Sequence, residues 1–212
     1  PDELPQMPRG LSVRSAAADP LTLAAVRALG LPEGRALLAR VAASTGAEWQ
    51  QQDALRRDWP APLCRAAVAL AQLRAAARPK LAGAAAMFFD RAGLEMASRT
   101  EVARHRAVRL AGRGRVLDLC CGIGGDLVEL ARRCPVIGVD ADPRRVLMAQ
   151  LNCEALGAAP DGLAVADVTT LRLRDATVYV DPARRDDSDR HSRRGEAYAP
   201  PLAFAIGLHR RV

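Results

Sequence analysis

The chain has 212 residues, enough for one full domain with a helical appendage and too few for two full-sized domains. Half of the residues are hydrophobic but only 3% are aromatic, so a core must be built from Ala, Leu and Val, and a disordered chain is excluded. A formal charge of +7 suggests a polyanionic partner, yet Lys80 is the only lysine and roughly a fifth of the residues are Ala, a skew like that of a GC-rich coding sequence. Net charge is therefore weak evidence for nucleic-acid binding.

Cys64, Cys120, Cys121, Cys134 and Cys153 are odd in number and include an adjacent pair, which suits free thiols in a reducing compartment. No Cys-x-x-Cys pair occurs and His is scarce, so no metal site is expected. No apolar run approaches the roughly 20 residues that cross a bilayer, and the N-terminus lacks a charged-then-apolar signal pattern. The expectation is a soluble cytoplasmic protein.

In chain order, the first predicted helix starts from Asp19 as N-cap with Pro20 at its first position and closes at Gly30. Pro32 to Thr45 places Leu37, Leu38 and Val41 at helical spacing, with Gly46 as terminator. Ala47 to Trp59 and Pro62 to Arg78 complete a helical N-terminal domain, residues 1–80, anchored by Trp49 and Trp59. A leading helical segment, residues 81–111, runs through Met87, Phe88 and Phe89. It ends in a cationic helix, Glu101 to Leu110, with Arg104, His105, Arg106 and Arg109; this face is either solvated or, through Arg104 and Arg106, substrate-binding.

From Arg115 the pattern changes to short apolar runs alternating with helices. Strands are expected at Arg115 to Leu119, Val136 to Val139, Leu163 to Ala166 and Thr177 to Val180, and helices at Asp126 to Arg133 and Pro143 to Leu156. Such alternation implies right-handed crossovers and a mostly parallel sheet, so the fold class is α/β, doubly wound and Rossmann-like. The second domain is residues 81–212. A sheet ending at its fourth strand is two or three strands short of the usual six, so it reads as truncated. Arg184 to Arg194 reads as a mobile loop, and a last helix is expected near Pro201.

The sharpest motif is Asp118-Leu119-Cys120-Cys121-Gly122-Ile123-Gly124-Gly125-Asp126, where the first strand turns into a helix. Glycines there allow positive φ and close approach of a ligand to free helix N–H groups. A dinucleotide fingerprint fails, because Leu127 occupies the place of the third glycine and Asp118 would repel a pyrophosphate. Acids flanking a glycine turn better suit a ligand with a cationic amino-acid end, such as S-adenosylmethionine. Asp140, with Ala141 beside it, ends the second strand where an acid can accept from both ribose hydroxyls. Asp142 reads as a helix cap. Asp167-Val168 follows the third strand on the adenine side, against the plainer reading of a loop Asp. Asp181-Pro182-Ala183-Arg184-Arg185 follows the fourth, so all four elements converge on the carboxyl edge of the sheet.

These residues resemble the class I S-adenosylmethionine-dependent methyltransferases. More narrowly, Gly93 to Ala97, Val102 to Arg106, Asp118 to Asp126, Asp181 to Arg185 and Tyr198 to Leu202 are similar to bacterial members that carry a THUMP-like domain behind the catalytic one. The resemblance implies cofactor binding by Asp118, Cys120, Gly122, Gly124, Gly125, Asp126, Asp140, Ala141, Asp167 and Val168. It implies catalysis by Asp181 and Pro182, with Arg184 in place of the aromatic residue that stacks on the base in amino-methylating relatives. Arg104, Arg106 and Arg185 are the substrate-binding candidates. The implied activity is methylation of a base amino group in a structured RNA. Alternatives are an inactive S-adenosylmethionine-binding scaffold with an RNA-binding role, or methylation of a small molecule or protein. Cys120 and Cys121 otherwise pack under the turn as small hydrophobes.

Overall fold

The computed structural model describes residues 19–44, 55–173, 176–184 and 198–208. Helix α1 spans Leu23–Gly30 and is capped by Thr22, whose hydroxyl accepts from Ala25 N. The expected cap at Asp19 lies three residues too early, because its carboxylate is taken up by Leu21 N and by Arg144. Helix α2, Pro32–Ala43, buries Leu37, Leu38 and Val41, and α3, Ala61–Ala77, buries Cys64, Val68 and Leu70. Most of the helix expected over 47–59, with Trp49, lies outside the described residues, as does Gly46.

The segment 87–90 is irregular rather than helical. Phe88 gives its backbone N–H and C=O to the side chain of Asn152, so neither is left for a helix. Both Phe88 and Phe89 are buried. A short helix α4, Arg91–Met96, follows, capped by Asp90, and then α5, Thr100–Leu110.

Four parallel strands come next: β1 Val116–Leu119, β2 Val136–Asp140, β3 Gly162–Val165 and β4 Thr177–Val180, in the order β3-β2-β1-β4. Helix α6, Gly125–Ala131, links β1 to β2, and α7, Pro143–Ala155, links β2 to β3. A single 3₁₀ turn, Val168–Thr170, lies between β3 and β4. This is the doubly wound α/β fold expected from the strand–helix alternation. Two short strands then pair antiparallel, β5 Ala183–Arg184 and β6 Tyr198–Ala199, before α8, Leu202–Gly207. Among the described residues, no helix is long and apolar enough to cross a membrane.

Side chains alternate across the sheet. Val116, Val136 and Tyr179 face α5, α6 and α7, whereas Leu119, Val139 and Val178 face the 3₁₀ turn and α8. A third apolar cluster joins α1, α2 and α3 to Ile123, Met148 and Leu151 of the sheet unit. Helix α7 therefore packs on the sheet with one side and on the N-terminal helices with the other.

Candidate active site

The turn after β1 is built from backbone that few side chains tolerate. Cys120 has φ 68°, Gly122 φ 55° and Gly124 φ 80°. A Cβ on Gly124 would stand 3.0 Å from Ala149 Cα of α7, so both its conformation and its room require glycine. Cys120 adopts a left-handed conformation at a cost of about 1–2 kcal/mol. The close contact between helix and strand that the third fingerprint glycine usually permits is solved differently here. Leu127 is fully buried, and the missing side chain lies across from it on β2, at Gly138.

Asp140 ties this turn to the end of β2. Its Oδ2 accepts from Gly122 N at 2.9 Å and its Oδ1 from Asp142 N at 3.0 Å. Each oxygen keeps a second lone pair for a hydroxyl donor. Asp142 is the cap of α7, accepting from Arg144 N with Pro143 at the first helical position, as expected. Ala141 is exposed beside it. Asp167 is exposed at the end of β3, where bonds from the N–H and hydroxyl of Thr169 hold its carboxyl below the usual range. Val168 is buried against Leu119 and Val139.

Asp118 is 1% exposed, and its Oδ2 has no hydrogen-bond partner. Burial, then Asp126, Asp181 and Asp140, push its carboxyl well above the ordinary range, and Arg106 opposes them. Tyr179 stands opposite it in the register of β1 and β4, and the Tyr179 hydroxyl is likewise buried without a partner. Asp126, in the first turn of α6, is raised by burial and offset by Arg106, whose Nη1 lies 3.1 Å from its Oδ1. The same Arg106 reaches Asp181 Oδ2 at 3.8 Å and lies over the Tyr179 ring at 5.7 Å. Its Nη1 also donates to Ser98 Oγ.

The fold thus brings Asp118, Asp126, Asp140 and Asp181 to one edge of the sheet, where Arg106 pairs with Asp126 and Asp181, and Asp167 is close enough to add to the field at Cys120. That thiol is pushed up to about 12, by burial first and then by Asp140, Asp118, Asp181 and Asp167. Cys121 is also raised, chiefly by burial. Both are protonated packing groups, not nucleophiles. Gly125 opens α6, and Pro182 is half-buried after Asp181. Arg184 pairs its backbone with Tyr198. Arg185 and the rest of the charged loop to Arg194 lie outside the described residues.

The two arginines proposed on α5 part company. Arg106 joins the acids at the strand ends, whereas Arg104 lies with its Nε 3.5 Å from Glu129 Oε2 of α6. Residues two positions apart on a helix are about 200° apart around its axis, so Arg104 and Arg106 do not serve one point.

Three participants were not apparent from the motifs. Tyr179 and Ser98 meet the motif residues only through sheet register and chain reversal. Asn152 is fully buried on α7, and its Nδ2 donates to Phe88 O and Ile123 O, both at 2.8 Å, which fastens the glycine turn to the segment before α4. Its one available signal was a polar residue between Leu151 and Cys153 on an apolar helix face.

Residues 116–180, the stretch holding the glycine turn and the strand ends, match the family model for a methyltransferase domain. These residues are similar to a methyltransferase domain. Two proteins of Mycobacterium tuberculosis, from strains CDC 1551 and H37Rv, both named as S-adenosylmethionine-dependent methyltransferases, are each 44% identical over 127 residues, 58% of this chain. The chain spans about a third of their length, 34%. A crystal structure from Porphyromonas gingivalis W83 that bears a methyltransferase name superposes with a TM-score of 0.55 at 18% identity, covering 89% of this chain and 46% of that one. The likeness supports the doubly wound α/β fold. Among the described residues, no group of three or more His, Cys, Asp or Glu side chains is arranged to hold a metal ion around this domain.

Proposed function

We propose that this chain transfers the methyl group of S-adenosylmethionine to an amino group of a base in a structured RNA. We also propose that it belongs to a longer cytoplasmic protein of the type with a THUMP-like domain behind the catalytic one, with residues 1–80 as a helical domain. The observation that carries the methyl-transfer reading is the buried Asp118 Oδ2, without a hydrogen-bond partner among the described residues, beneath a glycine turn that Asp140 ties to β2 and that Asp126 and Asp181 flank on one arginine. An orphaned carboxylate in that position fits a cationic amino-acid end.

S-adenosylmethionine, when bound, supplies an electrophilic methyl group. The chain's own residues bind and orient. Asp118 would accept from the ligand's ammonium, Asp140 from the ribose hydroxyls, and Asp167 from the adenine side. Asp181, half-exposed at the end of β4, would accept from the target amine and hold its nitrogen in line. Arg106 keeps Asp181 and Asp126 from repelling each other. A strong general base is not required, since the attacking nitrogen loses its proton after it becomes cationic.

The test is incorporation of labelled methyl groups into extracted RNA by the parent chain and by Asp181→Ala. The expected result is label on RNA, reduced at least about a hundredfold in the variant, a loss of about 2.7 kcal/mol in transition-state stabilisation. Label found on protein or small molecules but not on RNA would overturn the RNA part of the reading.

A further inference from the structure

Glu129, on α6, is a carboxylate with a side chain only 4% exposed, yet three arginines converge on it. Arg132 Nη1 meets Oε1 at 2.7 Å, Arg133 Nη1 meets Oε2 at 3.2 Å, and Arg104 Nε of α5 lies 3.5 Å from the same Oε2. One buried negative charge cannot neutralise three cations. Two positive charges are left over on a surface where the three side chains are 50%, 36% and 31% exposed.

The arginines are also held in shape. Arg132 is fixed at both ends of its fork, with Nη2 donating to Leu156 O at 2.7 Å. Arg133 uses Nη1 alone, for Glu129 Oε2 and the Glu129 carbonyl. Arg104 makes no hydrogen bond to a described residue beyond its ion pair. Among the described residues, the Nη2 groups of Arg104 and Arg133 have no partner, while Glu129 anchors both guanidinium groups, Arg133 by hydrogen bonds and Arg104 by its ion pair. A planar fork with free N–H groups and excess charge is suited to phosphate oxygens, and fixing it beforehand lowers the entropy lost on binding. Arg109, in the last turn of α5, and Arg113, just beyond it, add further positive charge with no acidic partner among the described residues.

We propose that the α5–α6 arginine face is a phosphate-docking surface for the backbone of the RNA, ordered from beneath by Glu129. It rests on the RNA reading above. It gives Arg104 a role in substrate binding away from the reacting atoms, while Arg106 on the same helix serves the strand ends.

The experiment uses the full chain and a fluorescein-labelled RNA hairpin, with binding followed by anisotropy across a salt series. Arg104→Ala/Arg133→Ala leaves Arg132 on Glu129, so the buried carboxylate stays paired. This variant is expected to melt within a few degrees of the parent. It is expected to bind the hairpin about tenfold more weakly, with a log–log salt slope smaller by about two. Arg104→Lys/Arg133→Lys restores the slope but only part of the affinity, because charge returns without the fork. If the Ala variant does not fold, the Lys variant carries the test: affinity equal to the parent's overturns the proposal. A parent that binds the hairpin while both variants match it in affinity and slope overturns this surface and leaves the RNA reading standing. A parent with no salt-dependent hairpin binding, or one that binds polyglutamate as tightly, overturns both.

Discussion

Two parts of the molecule bury polar groups to the same depth and treat them oppositely. At the seam between α7 and the segment before α4, Asn152 satisfies both its donors and its acceptor, and Asp90, 2% exposed, takes Gly93 N, Arg144 and Arg145. At the carboxyl edge of the sheet, Asp118 and Tyr179 keep buried oxygens with no partner, and Cys120 holds an unfavourable φ beside them. Fully paired buried groups hold one arrangement of the chain in place. Orphaned ones cost stability in the isolated fold and are tolerated where a ligand completes them.

The comparison can be broken from its strong side first. Asp90→Ala leaves Arg144 and Arg145 without their buried counterion and uncaps α4; it is expected to destabilise the fold by about 3–5 kcal/mol, measured by denaturant unfolding. A loss below 1 kcal/mol would remove the seam as a stabilising element. Asn152→Leu should cost less, about 2–3 kcal/mol, as it strands the Phe88 N–H and two carbonyls. Faster hydrogen exchange at residues 121–124 should accompany it, since the turn loses its tie to α7.

At the edge the expected sign reverses. Asp118 and Asp126 are raised by burial, so the folded chain binds protons more tightly there than the unfolded one. The contribution of these two groups to stability is then fully present below the ordinary Asp value near 3.8 and is lost as pH rises through the raised values. Asp118→Asn should make this loss smaller in thermal melts between pH 4 and 8, while weakening S-adenosylhomocysteine about tenfold. Unchanged affinity with unchanged pH dependence would mean that Asp118 is a packing residue only.

The α/β half of the fold was legible because the short apolar runs at Val136, Leu163 and Thr177 and the capping pair Asp142-Pro143 are local signals. The segment over 87–90 was not, because helix-compatible residues there lost their backbone partners to Asn152, 64 positions away. The acids at the strand ends were legible too, since a doubly wound topology forces them to one edge whatever the details of packing. What could not be read was which arginine joins them. Arg104 and Arg106 are equivalent in sequence, and only the packing of α5 on α6 sends one to Glu129 and the other to Asp126 and Asp181.

The most direct test of the carboxyl edge as a cofactor site is calorimetric titration of S-adenosylhomocysteine into the full chain, beside Asp140→Ala. The parent is expected to bind in the micromolar range, about −8 kcal/mol, and the variant, still showing a cooperative melt, to give no heat of binding. A folded parent that gives no heat, or a variant that binds as tightly as the parent, would contradict the assignment.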